Sequence, residues 1–310
     1  MKDKKYGLLS YTTGNLGDEI QSLAARYFLP RVDIYLDRDN DLKKVKSNKK
    51  IKLILNGWFS HKPQNWPPSE NIDPLFISFH IAKSAVKEFT SPSSIAYFKK
   101  HEPIGCRDAF TQNLLESSGV RAYFSGCLTL TLQRPSVKRT SQITIADIDE
   151  DIKNLLPEEL KTKAIYTTHW SRSPSAKKLA RVIPIKLKSF FRILKINTLV
   201  WSLFSKTKEE KFASAKRMLE QYAKSKLVVT SRLHCALPCL AFGTPVLFIH
   251  KNLNDQRFGG LLKYLHAYSL KELRDNPTQL EWKNPLPNPR DIEPLRQELQ
   301  RKCKEFIDLP

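Results

Sequence analysis

Nowhere in this chain does an apolar run approach the roughly 18 residues that a helix needs to cross a bilayer. The opening MKDKKYGLLS passes from charge directly into a strand-like run, with no signal-peptide core between them. A cytoplasmic protein is therefore expected. Cysteine is present but unpatterned: the five residues, at 106, 127, 235, 239 and 303, form no CxxC pair. That excludes zinc-finger and redox-motif readings and leaves reduced thiols, with Cys235 and Cys239 as small apolar packing on one helix face. No carboxylate–histidine cluster with metal spacing occurs, so neither a metal nor a cofactor is expected. Internal repeats and low-complexity tracts are missing as well. Acidic residues run short, since 52 Lys and Arg face 31 Asp and Glu for a formal net charge of +21. The deficit is sharpest between Ser171 and Lys208, where ten basic residues stand without a single acid.

Such a charge calls for an anionic partner: nucleic acid, a lipid surface, or acidic sugars and phosphates. No RRM, KH or helix-turn-helix signature accompanies it, and the basic residues gather in one stretch, so nucleic acid is not the expected partner. Within that stretch Leu187, Phe190, Phe191 and Leu194 recur at helical spacing beside a stripe of Lys188, Arg192 and Lys195. This is the pattern of a helix lying in a membrane interface, and contact with an anionic membrane surface through residues 183–204 is one expectation, putting the protein at the inner face of the membrane. A helix docked on protein with its lysines in solvent is the other.

What is present reads as α/β. At 310 residues, 41% of them hydrophobic, the chain suits two domains that each bury a core. Strands are expected at Tyr6–Ser10, Val32–Leu36, Ile51–Leu55, Leu75–His80, Pro103–Gly105 and Arg121–Phe124, with helices at Gly17–Phe28, Pro92–Lys99 and Asp108–Ser118. The polar, proline-containing QRPSVKRTSQ places a boundary near Pro135, giving domains 1–135 and 136–310, the second carrying the basic insertion at about 171–208. Strands at Ile143–Ala146 and Ala164–Thr168, a helix at Phe212–Tyr222 and a charged helix at Ile292–Phe306 belong to the second. Its centre is VVTSRLHCALPCLAFGTPVLFIH at 228–250, read as strand, helix, strand. Thr230 and Ser231 are expected to cap the helix, Pro238 to kink or break it, and Gly243 to stop it.

Ligands of such sheets gather where strand C-termini meet helix N-termini, and free backbone N–H groups there favour anions. Three stretches put polar side chains at such a corner. Arg232 and His234 follow one strand, with Ser231 and Leu233 beside them. Asn15, Gly17 and Asp18 follow another, Asn15 able to cap, Gly17 permitting close backbone approach, and Asp18 in the first helical turn. Arg107 and Asp108 hold the third. Three corners of one kind suggest one composite cleft.

These stretches, NLGDEIQSLA at 15–24, IGCRDAFTQNLLESSGV at 104–120 and VVTSRLHCALPCLAFGTPVLFI at 228–249, resemble the polysaccharide pyruvyl transferase family in order and span. The resemblance implies two Rossmann-like domains facing across a cleft, similar to B-type glycosyltransferases, and transfer of a pyruvyl group from phosphoenolpyruvate to a sugar of a surface polysaccharide or its lipid-linked precursor, forming a ketal. Two departures stand out: Asn56-Gly57-Trp58 where relatives often carry a glycine-rich turn, and Ser125-Gly126-Cys127 where an Asp-Pro pair often follows. The residues suit that chemistry. Phosphoenolpyruvate carries a phosphate and a carboxylate on a small frame, so Arg107 and Arg232 with a helix N-terminus would hold it in one orientation. Asp18 and His234 are the candidates for proton transfer, in either order. His169, beyond the Ala164–Thr168 strand, and Arg257 are further phosphate contacts or else solvated loop residues, and Trp58 and Trp66 are candidates to stack on acceptor sugars or else loop pins. The nearest rival is a B-type glycosyltransferase using a nucleotide sugar, whose diphosphate the same helix dipoles would hold.

Overall fold

Lys5–Ser10 (β1), an apolar run with polar ends, begins a six-stranded parallel sheet whose other strands are Ile34–Asp37 (β2), Ile51–Trp58 (β3), Ile72–His80 (β4), Ile104–Cys106 (β5) and Ala122–Phe124 (β6). The order is β2-β1-β3-β4-β5-β6. This computed structural model describes residues 4–171, 206–276 and 280–309. A second parallel sheet, of order β11-β10-β9-β7-β8, is built from Ile143–Ala146 (β7), Ala164–Thr167 (β8), Leu227–Thr230 (β9), Val246–His250 (β10) and His266–Ser269 (β11). Counted within its own sheet, each half follows the same doubly wound sequence, second strand, first, third, fourth, fifth. The protein is thus α/β, two Rossmann-like domains, and the repetition is topological without any repeat in sequence. Each sheet has a switch point where its first strand lies between its second and third, and crevices open there at the strand C-termini.

The helices are Leu16–Arg26 (α1), Val86–Phe89 (α2), Pro92–Lys100 (α3), Ala109–Ser117 (α4), Glu150–Leu155 (α5), Glu158–Lys163 (α6), Lys208–Lys224 (α7), Leu233–Ala241 (α8), Leu270–Asp275 (α9) and Glu293–Asp308 (α10). Helix α1 sits between the sheets, with Ile20 and Ala24 fully buried. They join Leu8 of β1, Tyr222 of α7 and Leu237 of α8 in one apolar cluster that spans both halves of the chain. Separate clusters pack the outer face of each sheet, one around Leu53, Phe76, Phe79 and Phe98, the other around Ile145, Val229 and Ile249. The cleft between the domains is therefore floored by a shared core. Polar links cross the same seam. Lys211 of α7 pairs with Glu19 of α1 at 3.0 Å, Leu16 N–H donates to His169 O at 2.7 Å, and Ser171 N–H donates to Gly14 O at 2.8 Å. Helix α10 returns to the first domain, where buried Lys52 donates to the carbonyls of Phe306 and Leu309 at 2.5 and 2.8 Å.

Several local expectations change. Thr230 and Ser231 do not cap α8: Thr230 Oγ1 donates to Ala146 O and accepts from Arg232 N–H, and Ser231 Oγ donates to Ile249 O. Their hydroxyls tie β9 to its neighbours, leaving Arg232 as a cap without a side-chain bond. Pro238 lies inside α8 without ending it, and the helix runs on to Ala241. Strand β3 continues past Leu55 through a register shift to Trp58, where Gly57 takes φ of +111°. The amphipathic pattern at 183–204 falls outside the described residues. The five cysteines are all free and buried.

Candidate functional site

The loops after β1, β5, β7 and β9 converge on one cavity of about 260 Å³. From the first domain, Asn15 caps α1 by accepting from Gly17 N–H at 3.1 Å. Asp18, in the first turn, is held by the buried Arg38 guanidinium at 3.2 Å and accepts from Thr13 Oγ1 at 2.9 Å. Gly17 is needed for contact between the domains: a Cβ there would lie 3.2 Å from His234 Cβ and 3.3 Å from its Nδ1. Arg107 leaves β5 and is 2% exposed. Among the described residues its Nε has no hydrogen-bond partner, Asp108 lying 3.9 Å away, and burial lowers its pKa.

From the second domain come Ser231, Arg232, Leu233 and His234. Leu233 and His234 supply the first backbone N–H groups of α8, which no carbonyl within the helix can accept. Arg232 is over one third exposed, 3.7 Å from Asp147 and over the Trp170 ring. The His234 side chain reaches the cavity with a buried Nε2 that has no partner among the described residues. Burial first, then the positive charges of Arg107 and Arg257, hold its pKa well below the ordinary histidine value.

The sequence-chosen residues Asn15, Gly17, Asp18, Trp58, Arg107, His169, Ser231, Arg232, Leu233, His234 and Arg257 all line this cavity. Trp66 does not. It is 8% exposed and packs among Phe59, Phe76, Phe89 and Phe98, so the acceptor role drawn from sequence is corrected: its large apolar ring serves the outer core of the first domain. His169 is not a solvated loop residue, and Arg257 is partly exposed but paired. His169 is 1% exposed, with Nδ1 2.7 Å from Asp147 and Nε2 3.4 Å from the Tyr222 hydroxyl. Arg257 makes a forked pair with Asp255 at 2.9 and 2.8 Å.

Sequence reasoning missed Asp147, His250 and His80. Burial of Asp147 works to raise its pKa, but the His169 contacts and the Thr168 hydroxyl outweigh it and hold the carboxyl at about 2. Asp147 takes φ of +46°, a left-handed conformation that turns it in just beyond β7. His80 is completely buried, 2.5 Å from Asp108 through Nδ1, and burial with Arg107 nearby lowers its pKa to about 4. The ring is therefore neutral and donates to the carboxylate. All three end or follow a strand, so the rule that picked Arg107 would have found them had every strand end been read.

Fold and cavity together define a two-domain α/β protein of the B-type glycosyltransferase kind, with its cleft at the carboxyl ends of two parallel sheets. The chain belongs to the polysaccharide pyruvyl transferase family, whose model matches residues 15–250. No curated protein matches it in sequence. Among solved structures it is similar to a functionally uncharacterised protein of Klebsiella pneumoniae subsp. pneumoniae NTUH-K2044, at 13% identity over 82% of this chain and 87% of that one, TM-score 0.43. It is similar also to the wall teichoic acid polymerase TagF, at 12% over 98% and 84%, TM-score 0.39. A third is the UDP-GlcNAc 2-epimerase of Methanocaldococcus jannaschii in complex with UDP-GlcNAc and UDP, at 9% over 96% and 99%, TM-score 0.43. These likenesses are loose, and the architecture rests on the strand orders given above. Among the described residues no helix is long and apolar enough to cross a membrane.

Proposed function

We propose that this protein transfers the pyruvyl group of phosphoenolpyruvate to two hydroxyls of one sugar in a surface polysaccharide or its lipid-linked precursor, forming a ketal and releasing phosphate. The observation that carries the reading is the pairing of two buried, unpartnered nitrogens in one cavity, Arg107 Nε and His234 Nε2, next to the N-terminus of α8. A small trianion supplies acceptors for Arg107, Arg232 and those N–H groups at once. The first acceptor hydroxyl adds to C2 of the enol phosphate while C3 takes a proton and becomes a methyl. The second hydroxyl then displaces phosphate from C2. One hydroxyl proton is balanced at C3 and the other leaves with phosphate, so the sum consumes no cofactor. The bound trianion raises the proton affinity of His234, because opposite charge favours the imidazolium; that imidazolium delivers the proton to C3, and the imidazole left behind takes the proton of the adding hydroxyl. Asp18, reaching the cavity from the facing domain, stabilises that cation.

The basic stretch between Ser171 and Lys208 supports a lipid-linked acceptor at an anionic surface. Thermal melting separates the donor readings. Phosphoenolpyruvate should raise Tm while uridine diphosphate leaves it unchanged, and phosphate release with a matching mass gain should follow when glycans are added. Stabilisation by the nucleotide alone would favour the nucleotide-sugar glycosyltransferase instead.

A further inference from the structure

Trp58 and Arg257 line the cavity on one side and a wider groove of about 510 Å³ on the other. The groove is walled by Trp58, His80 and Lys83 of the first domain and by Asn252, Asn254 and Gln256 of the second. Three polar atoms of these walls are buried without a partner among the described residues: Trp58 Nε1, His80 Nε2 and Gln256 Oε1. The Nδ1–H of His80 is spent on Asp108, so its Nε2 is a bare acceptor. The set is one donor and two acceptors, none of them charged. A phosphate or carboxylate asks for donors only, whereas a hydroxyl donates and accepts. Trp58 adds a partly exposed indole, stacked on His61 at 5.3 Å on one side, and the opposite apolar face suits the C–H face of a pyranose. Of the nearby charges, Arg257 is paired at 2.8 Å with Asp255, whose carboxylate also lines the groove, and Lys83 lies exposed at its rim, 5.9 Å from the Phe110 ring.

We infer that this groove seats an uncharged hexose ring of the acceptor, with hydroxyls bonded to Trp58 Nε1, His80 Nε2 and Gln256 Oε1, and that it selects neutral sugars over uronates. The inference rests on reading the neighbouring cavity as the donor site, and the volume accommodates such a ring with its linkage. Saturation-transfer difference NMR on the full chain without donor tests it, using the methyl glycosides of glucose, galactose, mannose and glucuronic acid as probes. At least one neutral glycoside should bind, the glucuronide should bind no better, and Gln256→Leu and Trp58→Phe should each weaken the neutral ligand by about tenfold. The rise in Tm caused by phosphoenolpyruvate should be the same in Gln256→Leu as in the wild type. Binding of no neutral glycoside, preference for the glucuronide, or unchanged affinity in both variants overturns the groove. Intact glycoside binding with no response to phosphoenolpyruvate instead overturns the donor reading alone.

Discussion

Arg107 stands apart from the other guanidiniums of the cleft because it is almost wholly buried, with Asp108 no nearer than 3.9 Å. Arg257 has Asp255 at 2.8 Å and Arg232 lies 3.7 Å from Asp147, both partly exposed, whereas Arg107 Nε is buried and, among the described residues, has no hydrogen bond. Truncation to Ala should therefore cost phosphoenolpyruvate binding about 1.5–3 kcal/mol by calorimetry, with Arg232→Ala toward the lower end because a carboxylate competes for it. His234→Ala and Asp18→Asn should instead lower turnover by roughly 10²–10⁴-fold while binding persists, and near wild-type phosphate release would remove His234 from proton transfer or Asp18 from stabilising the imidazolium. His80 gives a pH effect of definite sign. Its folded pKa of about 4 lies below the ordinary 6.5, so the unfolded chain binds the proton more readily between those values. The stability it contributes is complete above pH 6.5 and is lost as pH falls through 4. Tm measured across that window should fall less steeply in His80→Gln than in wild type, the remaining slope coming from His234 and His101 and being partly offset by Glu19, whose carboxyl is pushed up to about 7 by burial. At this scale the sequence was informative about corners and silent about partners. Arg107 and His234 were legible because they follow strands, whereas Trp66 and Trp58, eight residues apart in one loop region, look alike until packing sends one into the core and the other to the cleft.

Among the elements, β3 decides where that second tryptophan goes. Its register against β4 shifts between Leu55 and Gly57, and Gly57 adopts φ of +111°, where an added Cβ would lie 2.9 Å from Gln21 Oε1. Gly57→Ala should thus destabilise the protein by about 1–3 kcal/mol in denaturant unfolding, and weaken any ligand that leans on Trp58. If Tm and ligand affinity both stay unchanged, the bulge is not what aims the indole. The long alternating or apolar segments were readable from period alone, and so were α1, α4 and α7. Helices α5, α6 and α9, each of six residues, are too short to show a helical period, and the bulge in β3 depends on a neighbour strand that local pattern does not contain.

For the whole molecule, the apolar cluster shared by the two sheets makes separate unfolding of the domains unfavourable, and a single calorimetric transition is expected. The Lys211–Glu19 pair is the polar counterpart of that seam, with side chains 8% and 2% exposed. Lys211→Met removes the counter-charge of Glu19, whose carboxyl is already pushed up to about 7 by burial, so the acid protonates at neutral pH; the variant should lose about 1–3 kcal/mol in chemical denaturation at pH 8, less at pH 6, and Glu19→Gln in the same chain should remove that pH dependence. Equal stability of the single and double variants at pH 8 would show that Glu19 tolerates the loss. None of this seam was legible in sequence, because it joins residues almost two hundred positions apart, and only the number and kind of the domains could be read.

The return of α10 to the first domain also constrains the order in which the protein is made. The Lys52 ammonium accepts its buried position only because the carbonyls of Phe306 and Leu309 receive its protons. A ribosome delivers Lys52 more than two hundred residues before those carbonyls, so until α10 arrives the ammonium stays in water and the first sheet stays incomplete. A premature stop codon a few positions before Phe306 would spare every residue of the cleft and still damage the earliest strands synthesised.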